Sequence, residues 1–565
     1  MTLAVRFKQI VDKFGRHTAL AYLVDEQYKK ISYRELDRRR LYQANNWKSF
    51  GWQKGEKVAL MLDNSPEWVI SDLAAATLGL IVVPIHTTFN GEYIKRVMEH
   101  SGAKYLIINR EYFDKHKNTI LSFDLKKIII VGGSLDLKDE KIIGWPRLDL
   151  QKKLEDILIN VDEDDVHTII YTSGTTGDPK GVMLTHKNLI VNAESAKRSV
   201  NITYKDRFFS FLPLSHAFER TAGYYCPIFT GSSIYFARSS KSIVDDIKKA
   251  RPTMINSVPR IFERIYGKVF DNVESGSNFK KKLFFKSLKL SVLKRKNELD
   301  FLSKLSLFIL DLLVLKKVRA ILGGRLRLAI SGGASLDIKI LRFFENLGID
   351  IIEGYGMTET SPVIAVNKVN NSRPGTVGQA LDCNEIVVAQ NKEILIKGEN
   401  VMLGYYANDG ATSEIIDKDK WLHTGDFGFL DKEGFLTIIG RAKDVIVLST
   451  GKNIFPETIE NTLNESRFIV QSMVYGDNQK HISALIVPNF EQLKKWCEEN
   501  KIEFDLNDQK VQGFYRDKIT SRLAHFAQVE QIGDFKLLEE EFSQENGMLT
   551  PTLKLKRYKI KKIYL

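Results

Sequence analysis

Cysteine is scarce in this sequence. The three present, Cys226, Cys383 and Cys497, lie far apart with no C-x-x-C pair. That excludes a disulfide framework, argues against a thiolate zinc site and fits a reducing compartment. Long apolar runs are missing as well. No uncharged stretch approaches the roughly 18 residues a spanning helix needs. The nearest, 305–315, is short and holds Asp311. The first residues, MTLAVRFKQIVDKF, lack the apolar stretch of a secretory signal. Internal repeats and long low-complexity tracts are also absent. These absences read as a cytoplasmic protein, with at most peripheral contact to the membrane from that side. Acids are outnumbered: 83 Lys and Arg against 70 Asp and Glu give +13. Such a balance favours anionic partners, whether nucleic acid, an anionic membrane face or a phosphorylated substrate.

What remains is ordinary for a folded protein: 43% hydrophobic and 27% charged residues over a length of 565, ample for more than one core. Phe7, Ile10, Val11 and Phe14 recur at helical spacing and predict an amphipathic first helix. SPEWVISDLAAATLGL at 65–80 reads as a buried helix. Apolar runs at 81–85, 105–108, 127–131 and 169–172 read as strands. Strands alternating with helices predict an α/β fold with a parallel sheet. Between 384 and 440 short β segments (385–388, 393–397, 435–439) alternate with Gly, Asp and Asn turns, DKEG at 431–434 among them. This predicts a small β subdomain at the end of an N-terminal domain spanning 1–440. A mixed α/β C-terminal domain then covers 441–565.

The stretch 279–297 carries eight cations and no acid, with Phe284, Leu288 and Val292 spaced i, i+4, i+8 and Phe285 beside them. A basic amphipathic helix of this kind can lie on an anionic bilayer. The bland alternative is a solvated helix packing its Phe face on the core. Nucleic acid is not expected, because no recognisable motif for it accompanies the charge.

The densest local signal is YTSGTTGDPKGV at 171–182. Thr172, Ser173, Thr175 and Thr176 offer hydroxyls. Gly174, Gly177 and Gly181 let backbone approach an anion, and Lys180 adds charge. A loop of this composition after a strand suits a polyphosphate. It is not a Walker A loop, since Pro179 stands where that pattern requires Gly. Alone, it could equally be a structural turn.

Its companions narrow the choice. YTSGTTGDPKG resembles the signature loop of the adenylate-forming superfamily of acyl-CoA synthetases, adenylation domains and luciferases. The other strings of that family follow in order: ISYREL (31–36), NSPEW and GLIVVPI (64–85), FLPLSHAFER (211–220), SGGAS (331–335), EGYGMTE (353–359), WLHTGDFG (421–428), GRAKDVIVLSTGKNIFPE (440–457) and TPTLKLKR (550–557). Together they cover nearly the whole chain. PLSHAFER, TPTLKLKR and the basic insert between VPRIFERI and GGRLRLAISGGA look most like the long-chain fatty acid–CoA ligases.

The resemblance implies a two-step reaction. A carboxylate attacks ATP, pyrophosphate leaves, and a thiol displaces AMP from the acyl-adenylate. Both steps gather negative charge and need cations and oriented donors. By resemblance, Thr172, Ser173, Gly174, Thr175, Thr176, Gly177 and Lys180 hold the β- and γ-phosphates. Glu359 binds Mg2+, and Thr358 meets the α-phosphate. Gly333 and Ala334 line the adenine, Tyr355 stacks on it, and Gly356 belongs to the same nucleotide site. Asp426 accepts from the ribose hydroxyls, and Arg441 adds a cation near ribose and phosphate. Lys554 bridges the attacking carboxylate and the α-phosphate, although Lys556 and Arg557 lie close by. His216 is either a satisfied buried histidine or a lining of the acyl and thiol passage. Lys443 occupies the hinge position of a C-terminal domain that rotates between half-reactions. The rotation presents Gly451, Lys452 and Asn453 to CoA. Read by themselves, Asp426 is more simply a turn aspartate and Glu359 a helix-terminal acid.

The expected partners are therefore ATP, Mg2+, CoA and a long-chain fatty acid. An acyl-AMP or acyl-carrier-protein ligase differs only in its acceptor, on which the sequence is nearly silent. A non-catalytic, membrane-recruited lipid-binding protein on the same fold is the alternative of another class. Oligomeric state is not legible.

Overall fold

Helix Pro66–Leu78 shows how the sequence specifies this fold. Ser65 caps it by accepting from the Trp68 amide, proline opens its first turn, and Gly79 ends it in the left-handed conformation (φ 66°). Its side chains are apolar nearly all round, so it has no solvent face to offer and sits within the largest hydrophobic core with Trp47, Leu184 and Tyr224. The computed structural model describes residues 1–133, 139–149, 157, 159–172, 179–239, 241–550 and 554–565. Contacts divide them into two compact units, Met1–Ile386 with Ile396–His423, and Val387–Leu395 with Thr424–Leu565.

The first unit is built on two large sheets. One runs Gly404–Tyr405, Lys180–Thr185, Val166–Thr172, Ile81–Pro84, Lys57–Met61, Tyr105–Asn109, Lys127–Val131, Ile142–Gly144. From Val166–Thr172 onward it is parallel. Strands such as KIIIV and YLIIN are continuous apolar runs because both faces are covered. The other sheet has a parallel centre, Asp350–Gly356, Leu328–Ser331, Met254–Ser257, Arg207–Ser210, Ser233–Phe236 and Thr18–Val24, with antiparallel strands at both edges. The first helix, Leu3–Phe14, buries Phe7, Ile10 and Val11 as its periodicity predicts.

The predicted β segments of 384–440 form a four-stranded sheet, Asn384–Val388, Glu393–Gly398, Leu422–Leu430, Leu436–Arg441. DKEG turns between the last two, with Gly434 at φ 80° and the Asp431 carboxylate accepting from the Glu433 and Phe435 amides. The second unit holds a three-stranded sheet of Ile469–Tyr475, Ile482–Pro488 and Ile532–Leu537. The middle strand is buried on both faces. Ala484 and Ile486 face one core, Leu485 and Val487 another.

The basic stretch forms helix Asn278–Arg295, but not with the face its i, i+4, i+8 pattern suggested. Phe284, Ser287, Leu290 and Ser291 are buried, Leu288 is only partly so, and Val292 is exposed. Phe270 and Phe285 surround Phe284, and that contact turns the helix so that small serines, rather than Val292, meet the core.

Candidate active site

Ligands of open α/β sheets gather outside the carboxyl ends of the strands, and the first unit places several of the predicted site residues there. Strands Leu328–Ser331 and Asp350–Gly356 are parallel neighbours with Ser331 opposite Glu353. The residues that follow, Gly333 and Ala334 on one, Tyr355 and Gly356 on the other, therefore emerge side by side. Gly356 must be glycine, since a Cβ there would lie 1.9 Å from the Pro362 carbonyl oxygen. Glu353 ties the two loops together: its Oε1 accepts the Leu336 amide at 3.0 Å. Burial pushes its carboxyl up to about 7, against the pull of backbone donors at Leu336 and Gly375.

In the other sheet, Val166–Thr172 and Lys180–Thr185 are antiparallel, with Thr172 opposite Lys180. Thr172 and Lys180, the described ends of the phosphate-loop string, thus lie side by side at one end of this ladder. Ser173, Gly174, Thr175, Thr176 and Gly177 lie outside the described residues. The loop's edges do not. The Lys180 ammonium stands 5.0 Å over the Tyr405 ring, and the Tyr405 hydroxyl donates to Glu359 Oε1 at 2.8 Å. Tyr405 thereby joins the phosphate-loop cation to the predicted metal ligand. Burial, and then the Glu359 charge, hold its hydroxyl far above the usual phenol range. Gly404–Tyr405 pairs with Val182–Met183, and the Met402 amide donates to the Glu359 carbonyl at 2.8 Å. Chain 402–405 thus wraps the short turn Thr358–Thr360. Glu359 itself is buried, while Thr358 is half-exposed.

The 211–220 loop joins the carboxyl ends of the two sheets. Asn64 donates from Nδ2 to Leu212 O at 2.7 Å and to Ser210 Oγ at 3.0 Å, and accepts the Leu214 amide at 2.9 Å. Ser215 Oγ and His86 Nδ1 are 2.6 Å apart. His216 is half-buried, its ring 6.2 Å from that of His86. Burial and the proximity of His216 lower His86 to about 3, so it is a neutral ring. Beneath the loop, Arg220 is wholly buried. It pairs with Asp72, donates to Thr168 Oγ1 at 2.7 Å, and shares Asp72 with His167, Tyr224 and Tyr225. Burial alone would push Asp72 up, but the Arg220 guanidinium and then His167 hold it well below the usual carboxylate range. Among the described residues, no cation pairs with its neighbour Glu219. Ser210 donates to Glu219 Oε1 at 2.6 Å, yet burial raises the carboxyl to about 8.

The second unit assembles a charged cluster of its own. Asp426 and Arg441 lie opposite each other in the hairpin, with Arg441 Nε 3.0 Å from Asp426 Oδ1. Asp426 is 2% exposed. Thr550 and Lys554 are joined by mutual hydrogen bonds of 2.8 and 3.0 Å. Loss of hydration, then the Arg441 cation, hold Lys554 below the usual amine range, while Glu457, Asp426 and Asp444 pull the other way. Its rivals in the string divide from it. Arg557 is engaged by Glu460 at 2.6 and 2.7 Å and so clamps the last helix. Lys556 is held below the usual amine range by burial and by the neighbouring Lys559. Lys443 sits in the exposed turn Ala442–Asp444 directly after the hairpin. Gly451, Lys452 and Asn453 are exposed around the turn of the ladder Ile446–Val447/Asn453–Ile454.

Sequence reasoning did not single out Tyr405, Glu353, Asn64 or His86. Each acts through a partner between 17 and 150 positions away in sequence, so local pattern does not show the pairing. The available signals were the position of His86 directly after the predicted strand 81–85, and that of Asn64 and Glu353 at the head of the strings NSPEW and EGYGMTE.

A divalent ion fits this donor set in a limited way. Among the described residues no three metal-ligating side chains converge. Glu359 offers one buried carboxylate with one oxygen engaged by Tyr405. That matches Mg2+, which takes one or two carboxylates and completes its shell with phosphate oxygens and water.

Residues 7–406 match the family described as AMP-binding enzyme, and residues 443–508 its C-terminal domain. Similar curated proteins include the long-chain-fatty-acid–CoA ligase FadD15 of Mycobacterium bovis, 32% identical over 90% of this chain and 86% of that protein. The long-chain-fatty-acid–[acyl-carrier-protein] ligase AEE15 of Arabidopsis thaliana is 29% identical over 98% of this chain and 84% of its own length. In fold, the adenylation domain of a carboxylate reductase from Mycobacterium chelonae aligns with a TM-score of 0.79 over 100% of this chain and 90% of that one, at 22% identity. No described helix is long and apolar enough to cross a membrane. With its strands, loops and hairpin arranged as above and these matches spanning nearly its whole length, the chain belongs to the AMP-binding enzyme family.

Proposed function

We infer that this protein activates a long-chain fatty acid with ATP and transfers it to CoA, releasing pyrophosphate and AMP. The observation that carries the reading is the Lys180–Tyr405–Glu359 link at the carboxyl edge of the sheet. It sets a cation and a carboxylate together where a polyphosphate loop begins. The names borne by FadD15 and other relatives near 30% identity supply the acid and the thiol.

The roles follow from charge. Thr172 and Lys180, with the loop between them, hold the outer phosphates, where a cation and hydroxyls offset the growing charge of the leaving pyrophosphate. Glu359 would hold Mg2+, which when bound neutralises phosphate charge. Tyr405 fixes the orientation of that carboxylate through its 2.8 Å hydrogen bond. Thr358 faces the α-phosphate. Gly333, Ala334, Tyr355 and Gly356 receive the adenine, and Glu353 holds the first of their loops in place. Asp426 accepts from the ribose, oriented by Arg441 at 3.0 Å. Lys554 brings its ammonium between the carboxylate and the α-phosphate during adenylation. Rotation about Lys443 then withdraws it and brings Gly451, Lys452 and Asn453 to the thiol. The domain boundary is accordingly read at 440/441, with 384–440 as the β subdomain. His216 lines the acyl passage, held by the Ser215–His86 contact behind it. Helix Asn278–Arg295 is read as touching the anionic cytoplasmic face of a membrane, which makes the protein a peripheral cytoplasmic enzyme.

Burying a chain at about 0.8 kcal/mol per methylene favours long acids, and one methylene more or less changes little, so a range of lengths is accepted. Pyrophosphate release with ATP, Mg2+ and palmitate tests the reading. Multiple turnover that requires CoA is the expected result. Release that stops near one equivalent with CoA, but resumes with an acyl-carrier protein, would transfer the assignment to the acceptor named for AEE15.

A further inference from the structure

Helix Phe301–Leu310 is apolar on two sides. Leu307 and Leu310 pack into the core, and Leu315 follows them from the π-helical turn Asp311–Leu315. The opposite side is in solvent: Phe301 is 79% exposed, Leu302 71%, Phe308 64%, Leu305 52% and Leu313 55%. Phe301, Leu305, Phe308 and Leu312 follow i, i+4, i+7, i+11, so these side chains form a ridge along the helix and into the turn. A helix hydrophobic all round is normally enclosed, and a contiguous apolar patch left in water marks an interaction surface.

The surroundings of the ridge say what covers it. Between 279 and 319 there are twelve Lys or Arg and three acids, Glu298, Asp300 and Asp311. The excess of nine is most of the +13 of the whole chain. Asp311 is already taken by Arg319, at 2.6 Å. The neighbouring helix Asn278–Arg295 adds exposed Phe279 and Phe285 among its lysines. A second copy of this chain would bring the same positive charge against itself, and like charges disfavour that contact. An anionic bilayer offers both complements at once, negative headgroups for the lysines and acyl chains for the ridge.

We propose that the exposed ridge of 301–313 inserts into the headgroup–acyl boundary of an anionic membrane, with the lysines of helix Asn278–Arg295 held at the headgroups. The inference rests on the reading of that basic helix as a lipid contact and adds the element that enters the lipid. Electrostatic attraction brings the surface close, and burial of the ridge holds it there. Insertion therefore persists at salt concentrations that screen the lysines.

The test is co-sedimentation with vesicles of phosphatidylcholine, with and without phosphatidylserine. It uses the full chain, a Phe301→Ser/Phe308→Ser variant, a Lys281→Glu/Lys282→Glu/Lys286→Glu variant and a Phe308→Trp variant. All the altered side chains lie on solvent-facing helices, and palmitate-dependent pyrophosphate release checks that each variant is folded. The expected result is binding to the anionic vesicles that falls about tenfold or more in the serine variant. The emission of the Phe308→Trp variant shifts to the blue and is quenched by brominated lipid. Undiminished binding of the serine variant, or unshifted emission, would overturn the insertion. If only the charge-reversed variant loses binding, the basic helix is the contact and the ridge is not. Wild-type self-association that the serine variant abolishes, without lipid, would make the ridge an interface between copies and also overturn the proposal.

Discussion

Lys554 illustrates what single residues reveal and conceal. The string TPTLKLKR offers three cations within four positions, 554–557, and composition cannot choose among them. The structure separates them by partner. Arg557 is bound by Glu460 on two nitrogens, whereas Lys554 lies in the field of Arg441, Asp426, Glu457 and Asp444. Replacing Lys554 by alanine should lower palmitate adenylation by about 100-fold or more, the size expected for one lost charged donor. Transfer to CoA from supplied palmitoyl-AMP should stay within a few fold. Arg557→Ala should instead lower Tm, because it leaves Glu460 buried without its partner. Equal loss of both half-reactions in Lys554→Ala would contradict its role. Tyr405 marks the limit of legibility at this scale. A lone tyrosine in LGYY has no pattern, and its link to Glu359 exists only after residues 46 positions apart in sequence are folded together.

At the scale of elements, periodicity and capping were informative wherever packing agreed with them. The buried helix Pro66–Leu78 and the apolar strands were legible because Ser65, Gly79 and the β-branched runs all point the same way. The helix Asn278–Arg295 was legible as a helix but not in its rotation, since aromatic neighbours from another helix decide which face is inward. The π-helix Glu219–Tyr225 was not legible at all. Its consequence is a carboxyl and a guanidinium side by side in sequence with opposite fates: Arg220 meets Asp72, and Glu219 accepts from Ser210 and lies near Asn256. With its pKa raised from 4.5 to about 8 by burial, Glu219 keeps its proton in the folded state where the unfolded chain has lost it. Its contribution to stability is complete below the unfolded value. It declines as pH climbs through that interval, because the folded state binds the extra proton. Glu219→Gln removes the titration while keeping an oxygen for Ser210. The Tm of the variant relative to wild type should therefore rise between pH 5 and pH 8, by roughly 1–2 °C per pH unit. Parallel Tm curves across that range would mean that Glu219 does not stay protonated.

At the scale of the whole molecule, the order of motifs announced a family, and the predicted residues fall on both compact units. Glu359, Lys180, Tyr355 and His216 belong to the first; Asp426, Arg441, Lys443 and Lys554 to the second. The proposed reaction has a use for motion, because adenylation and thiol transfer need different groups at one carbon. Lys443 stands in a short exposed turn just after the hairpin that carries Asp426 and Arg441. A hinge there must change its backbone angles between the two steps. Proline at 443 would fix φ near −65° and restrict Ala442 before it. Lys443→Pro should therefore retain a burst of about one equivalent of pyrophosphate while CoA-dependent turnover falls about tenfold or more. Lys443→Ala, which leaves the backbone free, should keep both half-reactions, so the proline effect would be conformational and not a loss of charge. If the proline variant lost the burst and the turnover together, with its Tm unchanged, the turn would serve adenylation itself. The alternation of the two half-reactions would then have to pivot elsewhere.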